Sequence, residues 1–196
     1  MKIVYFLFLS LIVLINCTQP QKTNTTSANT NVVDSADNFF PVTSFIKGEI
    51  LQIKSGGITP IKKTLINKKL DSTWLKMTAI DSMLTAFTFP TIDTANCKPF
   101  FEEKKFLDQT LNAFTFTYAP KVGISNSFAF TKWDVYVSPE TQKVTRVYLV
   151  KKEGSKSILQ LTWQAGKWCK IVKLTDNTGN KNYTIEKEET ISWSYN

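Results

Sequence analysis

From residue 111 to the end, the chain repeats one pattern: a short run in which apolar and polar residues alternate, then a cluster of turn formers. Residues 111–118 read L-N-A-F-T-F-T-Y, which puts Phe114, Phe116 and Tyr118 on one face, because strand side chains alternate between faces. Residues 128–137 form the next run, and S-P-E-T-Q at 138–142 is a turn. Residues 143–152 return, with Val144, Arg146, Tyr148 and Val150 facing one way and Val147 and Leu149 the other. Gly154-Ser155, Ala165-Gly166 and a polar stretch around Gly179 separate further runs at 157–164, 167–174 and 183–195. Turns this short join antiparallel neighbours, since a parallel pair needs a crossover of about a dozen residues. This part of the chain is therefore expected to be a meander.

The preceding stretch has a different period. Val42, Phe45, Ile46, Ile50 and Ile53 fall at helical spacing, with Glu49 the one polar member of the stripe. Pro41 suits a first helical turn, and Gly56-Gly57 ends the helix expected over 39–53. Residues 58–70 are partly extended, with a turn at Asn67-Lys68. Asp71-Ser72 is expected to cap a second helix carrying Trp74, Leu75, Met77, Ile80, Met83, Leu84 and Phe87, which Pro90 stops. Helices first and strands after predict an α+β fold, with N-terminal helices packed on a curved antiparallel β-sheet in one domain over 39–196.

The first residues follow another logic. Lys2 precedes an apolar run from Ile3 to Ile15, interrupted only by Ser10 and too short for a comfortable membrane span of about 20 residues. It ends at Leu14-Ile15-Asn16-Cys17. That ending resembles a bacterial lipoprotein signal, in which the chain is cut before a cysteine that then carries lipid. The usual leucine, two small residues and cysteine appear here in a relaxed form, with Ile15 and Asn16 at the small positions. An ordinary secretory signal is the competing reading. The resemblance implies a signal peptide over 1–16 and lipidation at Cys17. Residues 18–38 are rich in Thr, Asn, Ser and Gln and cannot bury enough surface to offset the entropy of ordering, so they are expected to be a disordered tether.

The chain carries 24 Lys and Arg against 16 Asp and Glu. The basic residues are scattered lysine pairs and the only arginine is Arg146, whereas nucleic-acid reading favours arginine, so no nucleic-acid partner is expected. Beyond Cys17 the cysteines are Cys97 and Cys169. In an oxidising compartment they are a candidate disulfide pair, with two separate buried thiols as the alternative.

There is no histidine. That excludes Ser-His-Asp and Cys-His catalysis and most zinc sites, and no phosphate-cradling glycine motif is present. No cofactor and no metal are expected. Glu102 and Glu188 are the carboxylates considered for a hydrolase acting on envelope glycans, and Asp176, Asn177 and Asn180 for a loose calcium site. Asp134, between Trp133 and Val135, is a candidate inward polar group. The aromatic load is more informative. Trp133, Tyr148, Trp163 and Trp168 lie on strands and are the candidate ligand-facing residues for an apolar or sugar ligand.

The lipoprotein-like start, the helix at 45–53, W-D-V-Y-V at 133–137, S-P-E-T-Q, V-T-R-V-Y at 144–148 and L-Q-L-T-W at 159–163 together are similar to small uncharacterised lipoproteins of Bacteroidetes-type bacteria. The resemblance implies a location and an architecture, and it supplies no catalytic residue. Thr18 in place of an inner-membrane retention aspartate, with no acidic run after Cys17, implies the periplasmic face of the outer membrane. The expected function is a non-enzymatic envelope lipoprotein that binds a partner or ligand through its sheet. A carboxylate-dependent hydrolase and a lipid or lipoprotein carrier with an apolar groove are the alternatives.

Overall fold

The computed structural model describes residues 38–124 and 128–194. The expected signal peptide, Cys17 and nearly all of the tether lie outside the described residues. The fold is α+β: helices within residues 42–97 pack on a nine-stranded antiparallel sheet that does not close. No described helix is long and apolar enough to cross a membrane.

Helix α1 spans Val42–Ser55, beginning just after Pro41, and buries Val42, Ile46, Ile50 and Ile53. Buried Thr43 anchors it, its Oγ1 accepting a hydrogen bond from the Ile92 N–H at 2.8 Å. The hairpin β1 (Ile61–Ile66) and β2 (Lys69–Trp74) follows. Asp71, Ser72 and Trp74 therefore belong to a strand, not to the cap and first turn of a helix. The reason is the turn: Asn67 and Lys68 both have positive φ, 49° and 63°, the geometry of a two-residue hairpin loop whose twist suits paired strands. Ile66 lies opposite Lys69 and Ile61 opposite Trp74.

The expected second helix is broken into a 3₁₀ turn (Met77–Ala79), α2 (Ile80–Met83) and α3 (Thr85–Thr88). Hydroxyls within it bond to its own backbone, Ser82 Oγ to the Ala79 carbonyl and Thr85 Oγ1 to the Asp81 carbonyl, both at 2.9 Å. Such local bonds compete with a regular helical ladder. Its apolar residues are nevertheless core: Ile80, Leu84 and Phe87 are fully buried. A one-turn helix α4 (Thr94–Cys97) precedes β3 (Phe101–Asp108).

The meander runs β3, β4 (Ala113–Pro120), β5 (Phe130–Val137), β6 (Val144–Glu153), β7 (Ser157–Gln164), β8 (Trp168–Asp176) and β9 (Tyr183–Ser192). Each strand pairs with the next, and the β1–β2 hairpin adds beside β9, so that β2 and β3 are the two edges. Register sets Phe116, Val135, Val147, Trp163, Cys169 and Ile191 side by side across six strands. This line and the helix side chains belong to one core cluster. Trp163 meets Phe87 edge-on at 5.3 Å between ring centroids, and Trp133 stacks on Tyr118 at 4.9 Å. Burying each such side chain contributes about 1.5–3 kcal/mol.

Cys97 on α4 and Cys169 on β8 are both buried free thiols, so the candidate disulfide is not formed. Burial pushes the Cys97 thiol up to about 11 and the Cys169 thiol well above its ordinary value.

Candidate functional site

Because strand residues alternate, the positions between those of the core line form the second face of the sheet. A register shift between Tyr136 and Val137 breaks the alternation at Val144, which packs against the core instead of lying with Arg146. None of the apolar side chains that stay on that face of β5 to β8 belongs to the cluster that the helices complete. Two lines of residues cross it. One runs Thr115, Tyr136, Arg146, Gln164 and Trp168 from β4 to β8. The other runs Thr117, Asp134, Tyr148, Thr162 and Lys170 over the same strands.

Hydrogen bonds and charge organise these lines. Arg146 Nε donates to Gln164 Oε1 at 3.1 Å, and Gln164 Nε2 donates to the Thr145 carbonyl at 2.9 Å. The Arg146 guanidinium also lies over the Tyr136 ring, 5.8 Å from its centroid. Asp134 is only 5% exposed. Its carboxylate accepts from Thr117 Oγ1 at 2.7 Å and pairs with Lys132 at 3.2 Å, which offsets the cost of burying a charge. Lys170 pairs with Glu188 at 2.8 Å. Burial first, and then the Asp134 carboxylate, raise the pKa values of Tyr136 and Tyr148. Both phenols stay protonated at neutral pH and available as donors. Thr115 Oγ1, beside Tyr136, is buried with no hydrogen-bond partner among the described residues.

Of the four candidate ligand-facing residues, Tyr148 and Trp168 lie half-buried on this face. Trp133 and Trp163 do not. Both are fully buried on the opposite, helix-covered face and cannot meet a ligand at the surface. Alternation put Arg146 and Tyr148 on one side, and the same rule links Asp134 with Tyr136. What alternation could not supply was the register aligning Tyr136, Arg146, Gln164 and Trp168 across neighbouring strands, nor which face the helices cover.

The remaining sites resolve into structural roles. Glu102 pairs with Lys104 at 3.1 Å on β3, while Glu188 lies on β9, with five strands between them in the sheet. Asp176 is nearly buried, and its carboxylate accepts from the Thr178, Gly179 and Lys181 N–H groups at 3.0, 2.9 and 2.7 Å, holding the β8–β9 turn. Among the described residues no group of three His, Cys, Asp or Glu is placed to hold a metal ion. A groove of about 510 Å³ lies between α1 and α3, with Ile50 and Leu51 in its wall beside Lys47, Lys54 and Asp81. Lys54 and Asp81 form a solvent-exposed ion pair there. No family model, no curated protein and no solved structure matches the chain.

Proposed function

We propose that this protein is a non-enzymatic, lipid-anchored envelope protein that binds a glycan on the uncovered face of its sheet. The observation that carries the reading is the line Tyr136, Arg146, Gln164 and Trp168 beside Thr117, Asp134, Tyr148 and Thr162. Aromatic faces stack on the C–H faces of sugar rings, and interleaved hydroxyl, amide and guanidinium groups match sugar hydroxyls. A purely apolar ligand would strip water from the Tyr136 and Tyr148 hydroxyls without replacing it, which costs about 1–3 kcal/mol for each group so buried. The Leu14-Ile15-Asn16-Cys17 ending supports an anchor at Cys17 in the outer membrane, facing the periplasm, with the polar residues 18–38 as its tether.

Calorimetric titration with soluble disaccharide-peptide fragments of peptidoglycan, and separately with lipopolysaccharide-derived oligosaccharide, tests the binding. Binding of either glycan that Trp168→Ala or Arg146→Ala weakens by about tenfold or more, equivalent to about 1.4 kcal/mol, supports the reading. No binding of either glycan, or equal affinity in both variants, refutes it. Cys17→Ser is expected to abolish both the cut and the lipid, so that intact mass shows residues 1–16 retained and no acyl chains.

A further inference from the structure

We propose that β2 is a self-pairing edge, through which two copies of this chain join their sheets about a two-fold axis at Ser72. All six residues of β2 are exposed, and among the described residues it pairs only with β1. Edge strands are ordinarily protected by proline, by a bulge or by charge, because their open backbone groups invite pairing. Here there is no proline, and the β1–β2 register runs unbroken from Ile66–Lys69 to Ile61–Trp74. The two charges of β2, Lys69 and Asp71, are of opposite sign and alternate to the face away from Leu70 and Trp74. Leu70 and Trp74 are 65% and 64% exposed.

Geometry selects the register. The pair flanking a two-residue hairpin turn exchanges both of its hydrogen bonds, so Lys69, and with it Asp71 and Thr73, direct N–H and C=O toward β1. The Leu75 N–H donating to the Pro60 carbonyl at 2.8 Å continues that phase. Leu70, Ser72 and Trp74 therefore direct theirs away from the sheet. A second β2 strand can pair antiparallel only where these outward residues face one another. Centring the axis on Asp71 would set two carboxylates directly opposite, which is destabilising. Centring it on Leu70 would run Ser72 into the partner's hairpin turn. Centring it on Thr73 or Trp74 leaves at most two opposed outward pairs within β2. Centring it on Ser72 gives three, sets Leu70 of each copy against Trp74 of the other, opposes Asp71 with Thr73, and places no like charges directly opposite within β2. Leu-x-Ser-x-Trp is thus self-complementary, as a two-fold contact requires.

The three opposed pairs would form about six hydrogen bonds between copies. A two-fold axis normal to the sheet keeps Leu70 and Trp74 of both copies on the same face. There they continue the apolar strip of Ile61 and Leu65, of which Leu65 is 37% exposed. An extended segment from another protein could use the same backbone groups, but a second copy is the occupant that covers both exposed apolar residues, each Leu70 meeting a Trp74. This inference does not depend on what the other strands bind.

Opposed residues in such a pair have Cα atoms about 5.5 Å apart, within disulfide range. The full-length chain carrying Ser72→Cys, in membranes under mild oxidation, is expected to form a covalent dimer that reductant dissolves. Thr73→Cys, which faces Asp71 of the other copy and not itself, is not. Sedimentation of the full-length chain in detergent is expected to show a dimer. Ser72→Pro, which removes an outward N–H, and Leu70→Lys are each expected to weaken it by about tenfold or more, equivalent to about 1.4 kcal/mol. Both variants alter exposed edge positions, and circular dichroism matching the parent chain confirms that they fold. A monomer at every concentration, a dimer insensitive to both substitutions, or Ser72→Cys trapping a different protein in place of its own copy would each overturn the proposal.

Discussion

Glu49 Oε2 accepts a hydrogen bond from the backbone N–H of Gly166 at 2.7 Å, tying the middle of α1 to the β7–β8 turn 117 positions away. The Trp163 indole N–H points at the same oxygen, 3.4 Å distant. The one polar residue of the α1 stripe is thus a clamp between helix and sheet, and Gly166, at φ 68°, supplies the turn that presents its N–H.

Removing that acceptor leaves the Gly166 and Trp163 donors without it. Glu49→Ala is expected to cost about 1–3 kcal/mol, read as a lower urea midpoint at unchanged slope. Glu49→Gln keeps an acceptor oxygen and should lose less. Equal losses in the two variants would show that the charge, and not the acceptor, is what matters.

The two faces of the sheet should respond differently to the same truncation. Trp163→Ala opens a cavity against Phe87 and Trp193 and is expected to cost about 3–5 kcal/mol. Trp168→Ala, half-buried on the other face, should cost less than about 2 kcal/mol, since full burial of a large apolar side chain contributes about 1.5–3. Chemical denaturation of the two variants side by side measures the contrast.

Asp176 sets a pH dependence. Burial alone would raise its pKa, but the Lys181, Thr178 and Gly179 N–H groups bind the carboxylate and hold it below the ordinary value. A carboxyl group depressed in the folded state contributes stability that is fully present above its unfolded pKa of about 4 and is lost as pH falls through the folded one. The melting temperature should therefore drop on acidification below about pH 4, and Asp176→Asn should show a shallower drop. Parallel pH curves for the parent and the variant would remove Asp176 as the cause.

Cys97 and Cys169 should behave as inert thiols. In a Cys17→Ser background, a thiol reagent is expected to leave both unmodified in the native chain and to label both in denaturant, because each is buried and its thiolate is disfavoured. A mass about two daltons below the reduced value under non-reducing conditions would contradict the free-thiol assignment.

Much of this architecture is written locally. Period-two alternation from residue 111 onward and short polar turns specify a meander, because neighbouring strands joined by tight turns have no other way to pair. The 3.6-residue period of Val42, Ile46, Ile50 and Ile53 specifies α1 for the same kind of reason. Asn67-Lys68 marked a turn, but not that Asp71 and Ser72 would be drawn into a strand by pairing with β1 rather than cap a helix. Cap and strand propensities are each worth about 1 kcal/mol or less, and the partner strand decides between them. Tertiary structure alone determined that the hairpin docks on β9, leaving β2 as an edge, and which face of the sheet the helices cover. That second choice separates Trp163 from Trp168, five residues apart, making one a core residue and the other part of a surface. Alternation specifies that two side chains point to opposite sides. Only packing between segments distant in sequence determines which side is inside.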